Sequence, residues 1–116
     1  EYDLALRQAE AGYRLRPNEP NFLNTLGIAQ YRAGKYREAR ESLQTAAERH
    51  ARAGGKADPS DLAVLALALY QLGENEEAQT YLQQLRKLME LPASAADEDN
   101  QGFLREAEAM LGTKQE

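Results

Sequence analysis

The chain contains no cysteine and no tryptophan, one histidine, two phenylalanines and four prolines among its 116 residues. Without cysteine there is no disulfide framework and no thiolate chemistry; this fits a reducing compartment, and a cytoplasmic location is expected. His50, at the polar end of a long helical stretch, has no cysteine partners with which to build a metal site. No apolar run reaches the roughly 20 residues of a membrane span, and nothing at the start reads as a signal peptide, so no membrane role is expected. Lys and Arg number 14 against 19 Asp and Glu, for a net charge of −5. A basic stripe, the footprint of nucleic-acid binding, is missing, and no nucleic-acid partner is expected. Gly54-Gly55-Lys56 lacks the rest of a phosphate-binding loop. No segment alternates with period two, which argues against strands. No cofactor is expected.

What is present suits one domain over residues 1–116, with 42% hydrophobic and 28% charged residues. Residues 1–58 hold ten Lys/Arg and eight Asp/Glu, a balance of +2, while residues 59–116 hold four and eleven, a balance of −7. Two oppositely biased ends could steer a partner, and more simply read as solvated faces. The opening EYDLALRQAE is already amphipathic helix, which reads as a cut end inside a longer protein.

The dominant feature is internal repetition. LNTLGIAQYRAGKYREARESLQTA, from Leu23 to Ala46, returns as LAVLALALYQLGENEEAQTYLQQL, from Leu62 to Leu85. A constant shift of thirty-nine residues pairs Leu23 with Leu62, Leu26 with Leu65, Gly27 with Ala66, Tyr31 with Tyr70, Gly34 with Gly73, Ala39 with Ala78 and Leu43 with Leu82. A shift of thirty-four pairs Tyr2 with Tyr36, Ala5 with Ala39, Ala9 with Leu43 and Gly12 with Ala46.

Periodicity and punctuation predict six helices, at about 2–15, 19–33, 36–52, 59–72, 75–90 and 97–111. In the first, Leu4, Ala5, Ala9, Gly12 and Tyr13 form the apolar line. Asn18 is the expected cap of the second. Gly34 and Gly73 sit where a hairpin needs a left-handed residue. Asp58, Pro59 and Asp61 form a start signal for the fourth helix. That helix is apolar almost all round, so it should be covered on several sides.

A helix–turn–helix period of thirty-four residues resembles the tetratricopeptide repeat, whose hairpins stack because none can bury its own apolar face. Leu23, Leu26-Gly27, Gly34, Tyr36, Ala39, Leu43 and Ala46 stand at its characteristic positions, with Tyr31 one place past the usual aromatic. The resemblance implies an all-α, right-handed α-solenoid of about six helices: the second helix of a truncated repeat at 2–16, repeats at 20–53 and 59–91, and a capping helix at 97–111. The second copy departs from the pattern at Asn75 and Leu85, and the AGGKADPS loop makes its spacing five residues too long. More narrowly, the arrangement resembles a module at the C-terminal end of some bacterial serine/threonine kinases and WD40-repeat proteins.

The family lines its concave face with the first helix of each unit. Carried over, a peptide-binding face would comprise Asn21, Asn24, Ile28, Tyr31, Arg32, Ala63, Leu67, Tyr70 and Gln71; the alternative is that the sixth helix, or more repeats upstream, covers these side chains as core. The Lys and Asn residues that clamp a C-terminal carboxylate in chaperone-binding members are mostly absent, which argues against that role. The resemblance thus implies a non-catalytic protein- or peptide-binding scaffold of a larger bacterial protein. The alternative is a structural segment that packs on a neighbouring domain, or on its own copy through the exposed N-terminal helix. Three further constellations have plainer readings. DEDNQGFLREAE, 97–108, resembles a calcium loop at Asp97, Asp99, Gln101, Gly102, Leu104 and Glu108, but reads better as the acidic first turn of a helix. Ser60 and Asp61, with His50, suggest a triad only in name and read as helix-start residues. Arg32, Lys35, Arg37 and Arg40 read as a solvated helix end.

Overall fold

Seven helices and no strand make up the computed structural model over its described residues, 2–112. They are α1 (Tyr2–Leu15), α2 (Pro20–Arg32), α3 (Tyr36–Gly54), α4 (Pro59–Gln71), α5 (Asn75–Leu88), α6 (Pro92–Ala95) and α7 (Glu98–Leu111). The helix not foreseen is α6, a single turn that Pro92 opens directly after α5.

The hairpin bends follow from glycine. Gly34 has φ 81° and Gly73 φ 83°, and no other residue type has positive φ among the described residues. At the first bend the Gly34 N–H donates to the Tyr31 carbonyl at 3.0 Å and the Lys35 N–H to the Gln30 carbonyl at 2.8 Å. Thirty-nine residues later Gly73 donates to Tyr70 at 3.1 Å and Glu74 to Leu69 at 2.9 Å. Both bends thus satisfy carbonyls that a helix end leaves open, by the same pair of bonds.

The helix starts are less uniform. Asp58 caps α4 by accepting the Ser60 N–H at 3.0 Å, and Asp61 reciprocates by accepting the Asp58 N–H at 3.1 Å. Asp97 caps α7 by accepting the N–H groups of Asp99 and Asn100 at 2.8 and 3.2 Å. The 97–108 run is therefore a cap and a helix, whose side chains fan around an axis instead of converging on an ion. Asn18 does not cap α2. The cap position falls to Glu19, and no side chain bonds there. Pro20 has no N–H to satisfy, and the Glu19 carbonyl takes the N–H groups of Phe22 and Leu23.

The stack centres on α4, which packs against α2, α3, α5 and α7. Its residues from Pro59 to Leu69 are all buried, as its all-round apolarity requires. Leu43, Leu65, Leu67, Leu69, Leu82, Leu85 and Leu111 share its core. A smaller cluster joins Leu6 and Ala9 of α1 to Leu23, Leu26 and Ala46. On α1 the inward line is Leu6, Ala9 and Tyr13, whereas the expected Leu4 is 57% exposed. This line has i, i+3, i+7 spacing, and it is the face that α1 turns to its neighbour α2. Within the first full hairpin the approach is close. A Cβ on Gly27 would lie 2.6 Å from Leu43 Cγ, so the fully buried leucine itself excludes a side chain there.

Candidate functional site

The junction between the two full repeats is polar and enclosed. Asn24 of α2 donates its amide to Asp61 Oδ1 at 2.6 Å and to Ser60 Oγ at 2.9 Å. His50 of α3 places Nδ1 2.6 Å from Asp61 Oδ2 and Nε2 2.8 Å from Asn21 Oδ1. The Ser60 hydroxyl donates to Asp58 at 2.8 Å. The Asp61 side chain is wholly buried. Burial raises its pKa above the ordinary 3.8, against hydrogen bonds from Asn24 and His50 that pull it down. This is not a catalytic triad. The ring nitrogen that a nucleophile would need faces Asn21, and the Ser60 hydroxyl is turned to Asp58. The cluster instead fastens α2, α3 and α4 together. It was legible in the sequence only as a helix start, because His50 and Asp61 lie eleven residues apart on different helices.

The expected concave face is divided by this packing. Asn24 points into the junction. Ala63 and Leu67 are 0% exposed. They are a correction to the expected face: α4 is enclosed by four helices, so neither side chain is presented to a peptide in this packing. Tyr70 is partly buried against the same core. Ile28, Tyr31, Arg32 and Gln71 reach the surface to different degrees. Arg32 forms a two-pronged ion pair with Glu106 of α7, at 2.7 and 3.3 Å. Its guanidinium also sits 6.0 Å from the Tyr31 ring centre. Tyr31 leans on Tyr36, with ring centres 5.5 Å apart. Burial raises the Tyr31 pKa, partly offset by a hydrogen bond to Gln71. The Arg32–Glu106 pair links α2 to α7, both of which pack against α4.

Among the described residues, two open apolar grooves stand out. One, of about 690 Å³, runs between α3 and α5 over Leu62 and Leu65, with Ala47, Ala51, Tyr81 and Leu88 on its walls. The other, of about 640 Å³, lies between α1 and α2, lined by Tyr2, Ala5, Ala9, Gly12, Phe22, Thr25, Ile28, Ala29 and Arg32, with Gln8 at its margin. Only the second includes residues of the expected binding face, Ile28 and Arg32. Its other walls come from α1, which the family pattern alone does not single out.

The family model for the tetratricopeptide repeat matches residues 25–53 and 65–88. With the paired glycine bends and the stacked helices, this identifies those two stretches as repeats of the tetratricopeptide repeat family. Members of that family are generally non-catalytic scaffolds for protein–protein interaction. The match is to the repeat itself, and the narrower likeness to a kinase- and WD40-associated module gains no support from it. No curated protein matches the chain. No helix among the described residues is long and apolar enough to cross a membrane.

Proposed function

We propose that this chain is a protein-interaction module without catalytic activity of its own, and that its partner surface is the α1–α2 groove with the neighbouring Tyr31. The observation that carries this reading is the contrast between closed and open seats. Ala63 and Leu67 are covered, whereas Ile28 and Arg32 border an apolar groove. Apolar surface of that kind, rimmed by polar groups, is what protein partners use.

The test is affinity capture with the native chain and an Ala5→Arg, Thr25→Arg variant. Both positions are exposed, so circular dichroism and the unfolding midpoint should stay unchanged. Partners retained by the native chain should be lost from the variant. Equal recovery by both would place the interaction elsewhere. A second reading, self-association through α1, is favoured by the exposure of Tyr2, Leu4 and Leu15. It requires a molar mass by light scattering that rises with concentration; a constant monomer mass contradicts it.

A further inference from the structure

Two departures from the regular repeat, the long 53–58 loop and the unforeseen α6, meet at one place. Between the end of α3, the start of α4 and α6 lies a cavity of about 380 Å³, with His50, Lys56, Ala57, Asp58, Pro59 and Ser94 on its walls. None of its walls comes from α1 or α2. Its size lies near the lower end of the roughly 300–1,000 Å³ of ligand pockets, which suits a small molecule.

Ser94 is the residue that packing alone does not explain. Three polar residues are buried among those described: Ser60, Asp61 and Ser94. Ser60 and Asp61 are bonded within the junction between the repeats. Ser94 is 7% exposed, and its carbonyl accepts the Asp97 N–H at 3.3 Å and the Asn100 amide at 3.1 Å. Its hydroxyl has no partner among the described residues. Burying a hydroxyl without a hydrogen bond is costly. No side-chain oxygen or nitrogen sealed from solvent lacks a partner among the described residues, so Ser94 Oγ opens onto space, and the cavity is the space that Ser94 lines.

The charges around it are unanswered too. Lys56 and Asp58 line the same cavity, yet no ion pair joins them to each other or to another described residue. The bonds that Asp58 accepts from Ser60 come from neutral donors. His50 is held at both ring nitrogens, by Asp61 and Asn21, so it offers a fixed wall and no spare donor. A lone anion here is attracted by Lys56 and repelled by Asp58; a lone cation meets the reverse. The end of a protein chain carries only one of the two signs. A small molecule with both an ammonium and a carboxylate answers both charges at once. We propose that this cavity binds a free amino acid, with its carboxylate on Lys56, its ammonium on Asp58 and the Ser94 hydroxyl donating to the carboxylate. Ala57 and Pro59 supply apolar wall, which selects an apolar side chain. The site is separate from the α1–α2 groove and does not rest on the reading of that groove as a partner surface.

The test is calorimetric titration of the whole chain with alanine, valine, leucine, glutamate and lysine in turn, with amide NMR spectra of each mixture. At least one of the three apolar amino acids should bind with a millimolar or lower Kd. It should move the amides of Lys56, Asp58 and Ser94 and leave those of Ala5 and Ala9 in place. Its N-acetyl and methyl-ester derivatives each lack one charge, and should bind about tenfold more weakly or worse, as expected for one lost charge-assisted hydrogen bond. Ser94→Ala should weaken binding by about fivefold or more with no change in circular dichroism or unfolding midpoint, because the hydroxyl has no bond to lose. Lys56→Ala and Asp58→Asn should each weaken it by about tenfold; asparagine keeps a capping oxygen for α4, so the helix start is retained.

No heat and no shifts with any of the five amino acids overturns the proposal. Binding that survives all three variants also overturns it, because the ligand then sits elsewhere. Acetate or methylammonium bound as tightly as the amino acid would show a site for a single charge, and tighter binding of glutamate or lysine would contradict the apolar selection.

Discussion

Leu67→Ala is expected to destabilise the protein by about 2–5 kcal/mol, with a clear fall in the denaturant midpoint. By the family pattern Leu67 would line a peptide-binding face, where its loss would matter for binding and cost less than about 0.5 kcal/mol of stability. The structure places it in the core of α4 at 0% exposure. Removing its branched end leaves a cavity with packed helices on every side, and such a site relaxes poorly. The expected loss is a large fraction of the roughly 5–15 kcal/mol that holds a domain of this size together. Urea unfolding of the two chains distinguishes the roles. A midpoint within error of the native value would put Leu67 back on the surface.

Asp61→Ala should be of comparable severity, for a different reason. The carboxylate accepts from Asn24, His50 and the Asp58 N–H at 2.6, 2.6 and 3.1 Å. Truncation leaves those groups without their acceptor and breaks the reciprocal cap on α4. Unpaired buried donors cost about 1–3 kcal/mol each, with partial relief from Ser60 and from water, and a lost cap adds about 1 kcal/mol. A net loss of about 3 kcal/mol or more is expected. Asp61→Asn keeps one acceptor oxygen and should lose less.

The pH dependence isolates the charge. Burial raises the Asp61 pKa in the folded state above 3.8, so the folded chain takes up the proton before the unfolded chain does. Between 3.8 and that raised value, stability contributed by this group grows as pH falls, and is lost as pH rises. The asparagine variant lacks the term. Its deficit relative to the native chain should therefore widen on acidification through that window. A deficit that shrinks there would mean that the ionised carboxylate is favoured by folding.

What could be read in advance was local. Gly34 and Gly73 were legible as bends because only glycine enters the left-handed region without a penalty. The α4 cap was legible because Asp58, Pro59 and Asp61 stand next to one another. Other features depended on neighbours in space. Asn24 looks like a surface polar residue on its own helix, and only the stacking of α4 brings Ser60 and Asp61 to it. The Arg32–Glu106 pair spans seventy-four residues and has no sequence signature.

The fate of Ala63 and Leu67 is the most instructive. The all-round apolarity of LAVLALALYQL pointed to a helix covered on several sides, and the structure agrees. The family's binding positions pointed the other way, because a position in the motif fixes a residue's place on its helix and not what covers that face. Here a capping helix lies against it. Residue chemistry was the better guide than position in a motif. On α1 the inward line holds Ala9 and Tyr13, as expected, and Leu6 in place of Leu4. Leu4 and Leu6 both suit an apolar line, and only the contact with α2 chooses between them.

Native-state amide hydrogen exchange tests most directly the central claim, a stack closed around α4 and open along α1. Amides in the body of α4, from Leu65 to Leu69, should exchange only through global unfolding, with protection that follows the denaturant-derived stability. Those of α1 from Leu6 to Tyr13 should exchange faster, through local opening that leaves α4 protected. Protection of α1 equal to that of α4, or rapid exchange in α4 while α1 stays closed, would contradict the account.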